Sequence, residues 1–104
     1  MGMEIERERI DGVVRVLLET FPGARVTERK AELSALSHEF VIIPEGARPM
    51  VFQVAYDTFE EKSQQELEAD VAQAALRLGP DEHYRLMPDR ALLSISGPGN
   101  GGEL

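Results

Sequence analysis

The sequence has no cysteine and no tryptophan, one asparagine (Asn100), and only two lysines (Lys30 and Lys62) among its eleven basic side chains. Without thiols it can form no disulfide, thiolate nucleophile or cysteine-ligated zinc site, which is compatible with a reducing compartment. No apolar run approaches the roughly 20 residues of a membrane helix, and the N-terminal segment is acidic where a secretory leader would be basic. These absences predict a soluble, cytoplasmic protein with no membrane partner. Chemical motifs are equally scarce. The glycine-rich stretch Gly97-Pro98-Gly99-Asn100-Gly101-Gly102 has no helix after it to cradle a phosphate. There is no serine nucleophile elbow, and no histidine pair spaced i, i+4 for a metal. No cofactor is expected.

What is present is an acidic chain of 104 residues, 42% apolar and 29% charged, with a formal charge of -8. That length predicts one folded domain over residues 1–96, followed by a flexible glycine-rich tail at 97–104. The charge is uneven, with nine acids against seven bases in residues 1–52 and ten against four in 53–104. Such a field disfavours nucleic acid, whose phosphates need clustered lysine and arginine, and suits a basic protein partner or none.

Along the chain, Ile10, Val13, Val14, Leu17 and Phe21 recur at helical spacing, and Pro22-Gly23 ends that helix. Glu4, Glu6 and Glu8 lie at its start, where the helix dipole favours negative charge. Ala24 to Arg29 suits a strand, whereas Glu28 to Leu36 could also form a short helix. The alternation of Thr27, Arg29, Ala31, Leu33 and Ala35 with polar neighbours favours extended chain. Ser63-Gln64-Gln65-Glu66 is a capping box, and it opens a helix whose apolar stripe is Leu67, Val71, Ala74, Ala75 and Leu78 before Gly79-Pro80. Ala69, Ala72 and Leu76 form a smaller stripe on nearly the opposite side. Two further strands, His83 to Met87 and Ala91 to Ser96, flank a turn at Pro88-Asp89.

The stretch Ser37 to Asp57 is the densest in β-branched and aromatic residues and reads as a central hairpin, with its strands separated by the six residues Pro44 to Pro49. Pairing Ile43 with Met50 places Glu39, Val41, Ile43, Met50, Phe52, Val54 and Tyr56 on one face, the expected core side. His38, Phe40, Ile42, Val51, Gln53, Ala55 and Asp57 then share the other, although a one-residue slip would change that division.

The expected fold is therefore α+β: helix, three-stranded antiparallel meander, helix, two-stranded hairpin, with both helices on one face of a single sheet. Two helices leave the other face without cover. Phe40, Ile42, Val51, Gln53 and Ala55 are then the expected interaction surface, for a second copy of the chain or another protein. His38 and Asp57, diagonal across the predicted hairpin and joined by Glu61, form the one polar constellation suited to general base or metal-assisted hydrolysis. The acidic run Asp57, Glu60, Glu61, Glu66, Glu68 and Asp70 could hold a metal, mimic nucleic-acid charge toward a basic protein, or lie solvated. The element order, small size and acidic balance resemble the small dimeric acidic chaperones of bacterial type III secretion, which implies a homodimeric, non-catalytic binding protein. A terminal helix expected of that family is missing here. The portion from the first helix to the fourth strand is also similar to the restriction-endonuclease-like core, but Gln53-Val54-Ala55 stands where that core would carry Glu-x-Lys. The leading expectation is an acidic protein-interaction module of chaperone, adaptor or inhibitor type. A small metal-dependent hydrolase is the alternative.

Overall fold

The computed structural model describes residues 6–30, 36–79 and 83–95. Helix α1 (Arg7–Thr20) leads into strands β1 (Arg25–Lys30), β2 (Ser37–Ile43) and β3 (Met50–Ala55). Helices α2 (Tyr56–Glu61) and α3 (Gln64–Ala75) follow, and strands β4 (His83–Leu86) and β5 (Leu92–Ser94) complete an α+β fold. The five strands form one mixed sheet in the order β1-β2-β3-β4-β5. Consecutive strands pair antiparallel except β3 and β4, which run parallel because the chain returns through α2 and α3 before β4 starts. No helix among the described residues is long and apolar enough to cross a membrane. The glycine-rich tail and the continuation of β1 through Ala31, Leu33 and Ala35 fall outside the described residues.

The helix boundaries follow local chemistry. The Ser63 hydroxyl accepts from the Glu66 amide at 3.1 Å and the Glu66 carboxylate accepts from the Ser63 amide at 3.0 Å, so the predicted capping box forms with both bonds present. Helix α1 comes close to α3 at Gly12, where an added Cβ would run into the side chains of Gln64 and Glu68. After α1 the chain reverses at Gly23, whose φ of 85° is a conformation that side chains disfavour.

Helix α2 is an addition to the expected element order, which had one helix between the meander and the last two strands. Its six residues are too few to be stable alone. Tertiary contacts hold them: Phe59 is buried in the core, and the buried Thr58 hydroxyl donates to the Leu86 carbonyl on β4 at 3.0 Å.

The hairpin register also differs from expectation, by one residue. Ile42 pairs with Met50, Phe40 with Phe52 and His38 with Val54. The predicted register put Phe40 and Phe52 on opposite faces; the observed one brings both into the core, with ring centroids 6.4 Å apart. Each phenylalanine gains about 1.5–3 kcal/mol from full burial, which outweighs any local preference of the loop. The core joins Ile10, Val13, Val16 and Leu17 of α1, Phe59 of α2, and Leu67, Val71, Ala74 and Ala75 of α3 to Phe40, Ile42, Met50, Phe52, Val54 and Leu86 of the sheet. Those six strand residues share one face by register. Phe40 and Ile42, expected on the interaction surface, are completely buried there.

Candidate functional site

Turning Phe40 and Ile42 inward turns Glu39, Val41 and Ile43 outward, onto the face that carries Val51, Gln53 and Ala55 of β3, although Ala55, expected on the exposed interaction surface, is buried. Arg25, Thr27 and Arg29 of β1, His83 and Arg85 of β4 and Leu93 of β5 complete this second face by pairing. Val41, Ile43 and Val51 are half-buried and Leu93 is exposed, and none of the four belongs to the core cluster or to the hydrophobic residues packed around it.

A polar ladder crosses this face over four adjacent strands. The Arg29 guanidinium reaches Glu39 through Nε at 3.0 Å and Nη2 at 2.9 Å, both to Oε2. Gln53 Nε2 donates to Glu39 Oε1 at 3.1 Å, and Arg85 Nε donates to Gln53 Oε1 at 3.0 Å. The order is fixed by chemistry. An acceptor-only carboxylate takes one donor from each side, and the amide, both donor and acceptor, passes the chain of bonds to the second arginine. Glu39 is only 12% exposed at its side chain and Gln53 is buried, so each needs these partners, whereas the Arg29 side chain is 75% exposed. Sequence reasoning missed this ladder. The signal was Glu39 itself, a carboxylate that did not fit the otherwise apolar face assigned to it.

The predicted polar site does not assemble. His38 lies on the core side, its ring tilted against Phe40 with centroids 5.3 Å apart. Its Nε2 stands 2.5 Å from Glu28 Oε1, while Arg7 Nη1 holds the other oxygen of Glu28 at 2.8 Å. The hydrogen bond from His38, and after it the one from Arg7, pulls the Glu28 carboxyl below its ordinary range against the opposing effect of burial. Asp57 was placed diagonal to His38 by extending β3, but the strand ends at Ala55 and Asp57 is exposed in the first turn of α2. Glu61 is exposed at the far end of that helix. Among the described residues no group of three His, Cys, Asp or Glu side chains is arranged to hold a metal ion.

The acidic run divides into separate tasks. Glu66 caps α3; Glu68 accepts from Gln64 on its own helix and pairs with Arg15 of α1, and these bonds lower its pKa. Asp70 is buried, with Lys62 Nζ 3.2 Å from Oδ2 in an ion pair that lacks hydrogen-bond alignment. Asp57, Glu60 and Glu61 stay exposed on α2. A hollow of about 480 Å³ between α1 and α3 is lined by Glu6, Glu8, Asp11 and Glu68 together with Arg9 and Arg15. Its walls carry both signs of charge, and Arg9 is committed to the Phe59 and Lys62 carbonyls at 3.0 and 2.8 Å. Comparison of the chain with protein-family models, with curated proteins and with solved structures finds no match to any of them.

Proposed function

We propose that the chain is a cytoplasmic, non-catalytic protein-interaction module, and that its docking surface is the second sheet face. In this reading the three helices crowd one side of the sheet and leave the other for a partner. The observation that carries it is the position of Val41, Ile43, Val51 and Leu93: four aliphatic side chains on one face, outside the core, around a ladder that holds Glu39 and Gln53 in place. Apolar residues grouped on a face and rimmed by charge mark interfaces more often than they mark solvated surface. Fixed side chains also lose little conformational entropy on binding. The hydrolase alternative draws no support from the arrangement, since His38 bonds to Glu28 and Asp57 has left the strand.

Site-specific photocrosslinking in cells tests this. A photoreactive residue at position 41 is expected to give a protein adduct of discrete mass, and the same residue at Leu76, exposed on the helix side, is expected to give none. An adduct at twice the chain's 11.6 kDa identifies a second copy as the occupant; any other mass identifies a different protein. Equal labelling at the two positions, or none at 41, refutes the reading.

A further inference from the structure

Resting on the reading of the second face as a docking surface, we infer that its occupant is an acidic segment of another protein, with aliphatic residues among its carboxylates, and not a second copy of this chain. The charge of the face points that way. The protein as a whole is at -8, yet among the described strand residues of this face Arg25, Arg29 and Arg85 stand against a single acid, Glu39. Only Arg29 is neutralised by it. Arg85 bonds to the uncharged Gln53, and Arg25 is exposed and makes no ion pair among the described residues. Nine of the chain's nineteen acids lie on the helices, on α1 (Glu8, Asp11, Glu19), α2 (Asp57, Glu60, Glu61) and α3 (Glu66, Glu68, Asp70).

An isologous dimer through this face would bring two copies of the same positive surface together, which costs free energy that apolar contact must offset. Carboxylates of a partner meet no such opposition. Arginine suits them, because its planar donors take a carboxylate two bonds at a time. Arg25 and Arg85, the two arginines not paired with Glu39, stand on strands three steps apart and are offset by four residues along the strands, about 20 Å at the usual spacings. An extended segment spans that distance in about six residues, with room between its carboxylates for side chains to meet Val41 and Val51.

The test uses the full chain and a fluorescein-labelled peptide of mixed glutamate and valine, with a lysine-and-valine peptide and a single-stranded oligonucleotide as competitors for the same label readout. Analytical ultracentrifugation of the chain alone accompanies it. The expected result is a monomer that binds the glutamate peptide and not the lysine one. Its affinity falls with added salt and drops roughly tenfold or more in Arg25→Glu, an exposed substitution whose circular dichroism and melting curve check that the fold is intact. A closed dimer abolished by Arg25→Glu or Val41→Asp overturns the acidic-partner inference and leaves the docking-face reading standing. Open-ended growth overturns it also, since it means that the face takes the acidic helix side of another copy. Preference for the oligonucleotide, or a monomer that binds none of the probes, overturns it, and position-41 crosslinking then decides separately whether the face docks a protein at all.

Discussion

Truncating two neighbours on β2 separates the observed register from the one expected of the hairpin. Phe40 is completely buried between Phe52 and the helices, so Phe40→Ala loses its transfer free energy and leaves a cavity, about 3–5 kcal/mol together. Val41, one residue on, faces the other way and is half-buried. Val41→Ala removes two methyl groups worth about 0.8 kcal/mol each when fully buried, so half that burial predicts about 1 kcal/mol. Against a total stability of about 5–15 kcal/mol for a protein of this size, the first variant loses a large share and the second a small one. At roughly 4–8 °C per kcal/mol, Phe40→Ala should melt at least about 12 °C below the parent and Val41→Ala about 4–8 °C below it. Urea denaturation followed by circular dichroism should give the same ranking, with the m-value unchanged in both variants. The register that places Val41 in the core and Phe40 outside reverses the order. A Val41→Ala cost equal to or greater than that of Phe40→Ala would refute the assignment of faces, and with it the docking surface.

Ser63→Ala removes the hydroxyl that accepts from the Glu66 amide and should cost about 1 kcal/mol, read from the urea midpoint; no change would show that α3 needs no cap. Glu28 sets an acid limb. Its folded pKa lies below its unfolded one because His38 and then Arg7 bind the carboxylate, so the stabilisation is complete above the ordinary carboxyl range and is lost as pH falls through the folded value. Glu28→Gln should therefore be less stable than the parent at neutral pH, with the gap closing as pH falls below about 4. A gap that stays constant with pH would show that the loss comes from packing.

Local chemistry was enough for the sequence to determine the α+β class, both long helices and the approximate place of every strand. The apolar spacing of Ile10, Val13 and Leu17, the capping box at Ser63 and the β-branched density from Phe40 to Val54 each act within a few residues of chain. The short helix α2 was not legible, because its six residues depend on Phe59 and Thr58 finding the core and β4. Nor was the β3–β4 pairing, since strand polarity depends on where α2 and α3 return the chain. Tertiary structure alone decided the faces of the hairpin. A strand changes sides with each residue, so a shift of one position has little local cost and reverses what is buried; the choice falls to the sum of distant contacts, here Phe40 on Phe52 under the helices. The same shift moved Phe40 and Ile42 off the expected interaction surface, turned His38 toward Glu28, and aligned Arg29, Glu39, Gln53 and Arg85, residues of four separate strands whose association exists only once the sheet has formed.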